Sequence, residues 1–452
     1  MEESLAVISI LANIKKNASY LRMAALGYRY DYSRAKNEKI ITSIWSRMRV
    51  LLENSEPSKR RLYRAMAQFR AHLLMRPIKS AWAFEVASLF AFPLFIVACW
   101  LGYLAQGRDR GTNAGDGIQL VFGARWKTNQ EIFAIPETLA KKIIATETLS
   151  SHRLSSQDVA LVLKVLSLAI QERLPFPLQF TLKCAVDIAL VRAAIRRYTP
   201  KFVLVYWEYS CSLSVITQAL AQNGIETYNI MHGDKHYYAK HAFFEVHRCY
   251  CWNEFYVDVF RSEYVHAQFH CFTNPSFVLK EEERSYLADH ESAGVGVAAP
   301  HLATLIDPHT DKDLAAIQFA NALNALAKLK SVTIRSHPFY AEEFRSIRSR
   351  LSTDVTIQLP RSKSARAFLL DHNIIVGTAS TLLLEAAHLG LNVVIIRTQA
   401  MADLERHHYL YTMENVSVCT LESLNSSIAA INLDAKVPEI GEASSPLASS
   451  CG

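Results

Sequence analysis

Beyond residue 110 the chain alternates short apolar runs with longer stretches of helical period. Ile118 to Phe122, Phe202 to Tyr206, Ile225 to Met231, Arg248 to Trp252 and Phe269 to Phe272 read as strands. Helical stretches follow the first of these through about residue 198. A helix over Ser212 to Gln222 is closed by the C-cap pair Asn223-Gly224, and Asn253 opens another to about His266. A second copy of the rhythm fills the C-terminal part. Strands Gly294 to Ala299, Val332 to Arg335, Val355 to Leu359, Asn373 to Val376 and Val393 to Ile396 are separated by helices over 312–329, 341–351, 365–370 and 381–389. Strand-helix alternation of this kind predicts α/β architecture with doubly wound parallel sheets: two Rossmann-like domains facing a cleft.

Before residue 110 the texture is helical. Val86 to Ala105 is a run without a single charged residue, long enough to cross a bilayer once, with Pro93 near its middle. Seven basic and no acidic residues separate Glu56 from Glu85: Lys59, Arg60, Arg61, Arg64, Arg70, Arg76 and Lys79. The net charge of +7 is therefore uneven, with 18 Lys and Arg against 8 Asp and Glu in residues 1–110 and a slight acidic excess beyond. This pattern predicts association with an anionic membrane surface, by a helix that dips into the bilayer or packs on the body. A true span would put the free cysteines on the far side of the membrane. No nucleic-acid-binding module accompanies the basic stretch, so nucleic acid is not an expected partner.

The expected organisation is a helical basic region over 1–110, Rossmann-like domains over 111–290 and 291–435, and a disordered tail over 436–452 rich in Ser, Pro and Gly. The Gly-rich linker 111–117 marks the first boundary. Eight scattered Cys give no disulfide framework, and Met1 to Ala12 has no basic leader. The expected location is the cytoplasm, at the inner membrane face. Cys249 and Cys251 fall on one face of a strand by alternation, and no His or Cys spacing reads as a metal site.

In doubly wound sheets ligands bind beyond the carboxyl ends of the strands, and three such ends carry chemistry. Met231-His232-Gly233-Asp234 offers His232 or Asp234 as a base for an acceptor hydroxyl, or Asp234 as a carboxylate nucleophile, with Glu208 after the preceding strand as a further base. Ile334-Arg335-Ser336-His337-Pro338 offers a guanidinium and an imidazole to a departing phosphate. Val376 to Gly390 runs a strand through Gly377 and Thr378 into a helix opened by Ser380 and Thr381, a seat for phosphate. Glu385, one turn deeper, can reach a ribose. Ordinary N-capping by Ser380 or Thr381 explains the same hydroxyls without a ligand.

The order of these motifs, HG, then R-x-HP, then S-T-x-x-x-E-A-x-x-x-G, resembles the GT-B glycosyltransferases of bacterial surface polysaccharide and lipopolysaccharide synthesis. It is similar to the CMP-sialic acid and CMP-Kdo transferases and to the CDP-glycerol glycerophosphotransferases, over about residues 200–400. The resemblance implies a nucleotide-sugar donor held by His337, Pro338, Ser380 and Thr381, with the base or nucleophile at His232 or Asp234. It implies a metal-independent transfer, without cofactor, of a sugar such as a Kdo-like or sialic-acid-like ulosonic acid to a glycan or lipid-linked acceptor. A CDP-polyol phosphotransferase, and a GT-B-like epimerase or inactive membrane-tethered scaffold, are the alternatives.

Overall fold

The computed structural model describes residues 52–74, 78–105, 119–122, 143–147, 153–195, 200–231, 243–262, 265–289, 294–299, 312–336, 341–359, 362–397 and 409–431, apart from 54, 207 and 209, with positions 43, 46, 48, 49, 139 and 233 in addition. The linker over 111–117 and the tail over 436–452 lie outside the described residues.

Two helices lead, α1 (Pro57–Leu74) and α2 (Ile78–Ala105). The first sheet then forms from β1 (Gln119–Phe122), β2 (Ile143–Glu147), β3 (Phe202–Val205), β4 (Glu226–Ile230), β5 (Arg248–Cys251) and β6 (Gln268–Cys271), all parallel in the order β2-β1-β3-β4-β5-β6. Between its strands run α3 (Ser156–Gln171), α4 (Pro177–Ile195), α5 (Leu213–Ala221) and α6 (Glu254–Ser262). All four residues of β3 are buried, as expected of a parallel strand covered on both faces.

A 3-10 turn, Pro275–Phe277, and helix α7 (Glu281–Asp289) lead to the second sheet. There β7 (Val295–Ala298), α8 (Lys312–Ala327), β8 (Val332–Arg335), α9 (Ala341–Arg348) and β9 (Val355–Gln358) build outward on one side. On the other side follow α10 (Ala365–Leu370), β10 (Ile374–Gly377), α11 (Thr381–His388), β11 (Asn392–Ile396), β12 (Val416–Cys419) and α12 (Leu424–Ala429). The order β12-β11-β10-β7-β8-β9 reverses direction between β7 and β10, the switch point at which such a sheet opens a crevice.

The observed elements differ from the pattern-based reading in several places. The helical stretch expected up to residue 198 contains the parallel strand β2, and it is broken again at Arg173 and Phe176, which have positive φ (50° and 56°) beside Pro175 and Pro177. Strand β12, half exposed, and the six-residue α12 carry too few apolar positions to register as periodic. As the sequence allows, helix α2 runs unbroken through Pro93.

One apolar cluster continues through both halves, joining Phe180, Ile216 and Phe260 to Phe368, Leu383 and Ile395. A second lies on the other face of the second sheet, where Val297, Ile334 and Val376 meet Phe319 and Leu323 of α8. Between the halves Phe277 stacks on His388 (4.1 Å, 10°) and meets Trp252 edge-on at 5.0 Å. Arg366 closes this seam: its guanidinium donates to Glu283 Oε1 at 3.0 Å and to the carbonyls of Ser276 and Val278 at 2.6 and 2.7 Å.

Helix α1 is built into the first half. Leu62, Met66 and Phe69 are buried, and Phe69 meets Phe180 at 5.2 Å. The basic residues on it have protein partners, which corrects the assignment of the whole charge excess to a membrane. Arg60 forms a two-pronged pair with Glu245 (2.8 and 2.9 Å), Arg61 reaches the same carboxylate at 3.2 Å, and the fully buried Arg64 lies 3.6 Å from it. Arg70 donates to the carbonyl of Glu172 at 2.8 Å, and Lys59 sits over the Tyr63 ring. Burial lowers the Arg64 guanidinium to about 10 against the opposing pull of Glu245, which leaves it charged at neutral pH.

Candidate functional site

Strand β10 delivers the chain to Gly377 at the switch point of the second sheet. A Cβ there would lie 3.1 Å from both the Ala298 carbonyl oxygen and Leu383 Cδ1, so this position is kept side-chain-free by close packing of β10 on β7 and α11. Gly377 thus has a packing reason of its own, rather than a ligand cradle. After Thr378 and Ala379 the backbone reaches Ser380, extended at φ −161°, ψ 163°, and enters α11 at Thr381.

Ser380 is the N-cap of α11 and its side chain makes no cap hydrogen bond. Ser155 and Ser364 each accept from the backbone N–H three residues on, whereas Ser212 and Ser423, like Ser380, make no side-chain cap bond. The Ser380 hydroxyl is thus not engaged in capping α11, and the helix start presents the positive end of its dipole at the switch point.

Gly233, just past β4 of the first half, sits opposite this mouth. It has a positive φ of 69°, and a Cβ built on it would be 3.5 Å from Thr381 Oγ1. The HG motif and the Ser-Thr motif, about 150 residues apart in sequence, thus meet where the carboxyl ends of the two sheets face each other. His232, Asp234, His337 and Pro338 lie outside the described residues. Their described neighbours fix where the chain enters: Met231 is buried and donates its N–H to Tyr250 O at 2.9 Å, and Ser336 donates to Gln358 O at 3.3 Å.

Glu208 and Arg335 differ from expectation. Glu208 follows β3 but is fully buried, and its carbonyl accepts from Gln68 Nε2 of α1 at 2.8 Å. A carboxylate enclosed this way does not meet an acceptor hydroxyl, so the role of base falls away from it. Arg335 is mostly buried on the α10 side of β8. It donates to Gln358 Oε1 at 3.3 Å and lies 5.8 Å from the centre of the Phe368 ring, and burial lowers its guanidinium. Cys249 and Cys251 share a face, their sulfurs 3.9 Å apart, and both are wholly buried; burial raises the Cys251 thiol. Among the described residues no group of three His, Cys, Asp or Glu is placed to hold a metal ion.

Glu385 occupies the next turn of α11, half-buried beside Ser276 in the seam between the halves. Burial raises its carboxyl to about 7, against smaller opposing pulls from Ser276 and Arg366. Because the folded chain holds this proton to higher pH than the unfolded chain, its contribution to stability is present below about pH 4.5 and is lost as pH rises through 7. The melting temperature of Glu385→Gln should therefore equal that of the wild type at pH 4.5 and exceed it increasingly up to a plateau above pH 7. A gap independent of pH contradicts this environment for Glu385.

Pattern reasoning missed the residues that hold the site from behind. Gln68 ties α1 to the end of β3, and Arg366 locks the turn before α7 to α10. Neither carries a local signal, since each acts on a residue more than 80 positions away.

Two doubly wound halves with their strand ends opposed form the GT-B arrangement. No protein-family profile matches the chain, and no curated protein matches it in sequence. Among solved structures it is similar to the UDP-GlcNAc 2-epimerase of Neisseria meningitidis bound to UDP-GlcNAc, at 15% identity over 69% of this chain and 90% of that one, TM-score 0.45. It is also similar to MurG of Acinetobacter baumannii, at 11% identity over 69% and 89%, TM-score 0.38. A third is the wall teichoic acid polymerase TagF, at 9% identity over 83% and 89%, TM-score 0.38.

Proposed function

We propose that the chain is a GT-B glycosyltransferase that takes a nucleotide-sugar donor at the mouth of α11 and passes the sugar to a glycan or lipid-linked acceptor at an anionic membrane surface. The observation that carries this reading is the start of α11 at the switch point of the second sheet, where Ser380 makes no cap bond and Thr381 faces Gly233 of the first half. An anion completes that arrangement: the first N–H groups of α11 and the hydroxyls of Ser380, Thr381 and Thr378 receive the donor's phosphate. The nucleoside then extends along α11 towards Glu385, whose carboxyl takes the ribose hydroxyls.

In the transfer an acceptor hydroxyl attacks the anomeric carbon, the carbon–oxygen bond to phosphate breaks, and the nucleotide leaves with the bonding pair. Charge developing on the leaving phosphate falls on the helix mouth and on His337 beyond β8, so no metal is needed there. Asp234 or His232 takes the acceptor proton. A CMP-linked ulosonic acid is the donor that the motif order favours.

Asp234→Ala and His337→Ala test the assignment. Each should lower turnover by at least about a hundredfold, in keeping with loss of a general base or of a leaving-group contact, while saturation-transfer signals from CMP persist in Asp234→Ala. Wild-type turnover in both variants refutes the site.

A further inference from the structure

Helix α2 is apolar on all sides and yet lies on the outside of the protein. Its inner stripe is docked: Ser88, Phe92 and Cys99 are buried, and α2 packs along α4. Two sets of tethers hold its ends. The Glu85 carboxylate accepts from the N–H groups of Leu178 and Gln179 at 3.0 and 2.7 Å, capping α4. At the other end the Cys99 carbonyl accepts from Leu154 N–H at 3.5 Å, and Trp100 Nε1 donates to Ser156 Oγ at 3.4 Å. The outer stripe is open along its length: Trp82, Val86, Leu89, Phe90, Leu94, Val97, Leu101 and Leu104 are all exposed, Phe90 by 66% and Leu94 by 71%. At 1.5 Å per residue this stripe is about 33 Å long.

We propose that α2 is a monotopic docking helix that lies in the plane of an anionic bilayer, its outer stripe in the acyl boundary and its inner stripe on α4. A helix tied to the body at both ends and along its side cannot leave it to cross the membrane. Residues 86–107 carry no charge, and the sequence on either side has a cationic excess, with Arg76 and Lys79 before Glu85 and Arg108 and Arg110 about Asp109. That is the pattern of an interfacial helix whose ends meet anionic headgroups. A second copy of the chain is the poorer occupant, because a two-fold contact along the stripe would bring basic flank against basic flank. This proposal deepens the membrane part of the proposed function and rests on it only there; its test needs neither nucleotide nor turnover, so membrane docking and donor binding fail separately.

The full chain is mixed with vesicles of equal parts phosphatidylcholine and phosphatidylglycerol, and bound protein is separated by flotation. Binding is expected, weaker on phosphatidylcholine alone and weaker at high salt. The triple substitution Leu89→Gln, Phe90→Gln, Leu94→Gln should reduce the partition by more than about tenfold with an unchanged melting temperature. Leu329→Gln, at an exposed apolar position in the second half, should not change it. Depth is read with brominated lipids on Phe90→Trp: quenching by shallow bromines supports the in-plane helix, and quenching strongest at the bilayer centre overturns it in favour of a span. Absence of vesicle binding overturns the proposal, as does a wild-type dimer that the triple substitution dissolves without any lipid partition.

Discussion

Ser380→Asp should make the protein slightly more stable and unable to bind its nucleotide. In the wild type the N-cap hydroxyl makes no cap bond, so an aspartate at this position gains one and also meets the positive end of the α11 dipole. Each effect is typically worth about 0.5–1 kcal/mol. The same carboxylate occupies the seat proposed for phosphate. Two unit charges about 4 Å apart near a protein surface repel by about 4 kcal/mol, which corresponds to at least a hundredfold loss of affinity. Calorimetric titration with CMP, CDP and UDP, beside a thermal melt, reads both effects. Stability and binding moving in opposite directions separates this prediction from general damage. Unchanged affinity removes Ser380 and the helix mouth from the donor site.

The second large effect concerns the clamp between α1 and the first half. Glu245 is almost wholly buried and faces Arg60, Arg61 and Arg64. Glu245→Ala leaves the fully buried Arg64 without its carboxylate and frees the two-pronged contact of Arg60. Breaking a buried pair from one side costs about 3–5 kcal/mol, a large part of the stability of a typical domain. Urea unfolding should show a midpoint shift of that size, and Arg60→Ala should add little in the Glu245→Ala background. A loss below about 1 kcal/mol would mean that the cluster behaves as exposed surface pairs do.

The clamp also shows where reading the chain by pattern reaches its limit. The parallel strands of both halves stand out because burial on both faces makes them short continuous apolar runs, as in Phe202 to Val205 and Ile374 to Val376. The helix ends stand out through Asn223-Gly224, with Gly224 at a positive φ of 68°. Motif order and strand ends singled out both Gly233 and Thr381, since a doubly wound topology leaves few places for residues that follow a strand, and the fold brings the two together. Partners distant in sequence were not legible. Seven clustered basic residues look alike on paper, and only the fold distinguishes Arg60, Arg61 and Arg64, spent on a carboxylate some 180 positions away, from cations beside the apolar helix. Glu208 illustrates the same limit: its position after β3 suggests catalysis, whereas the fold buries it completely.

Thermal unfolding of the wild-type chain with CMP, CDP and UDP in turn bears most directly on whether the mouth of α11 is a nucleotide site. A nucleotide at about 100 times its dissociation constant should stabilise the chain by about 2.7 kcal/mol. The effect should be strongest with the nucleotide of the natural donor, and the Ser380→Asp variant should lose it. A melting temperature that none of the three nucleotides moves, at millimolar concentration, contradicts donor binding at α11 and with it the proposed transfer.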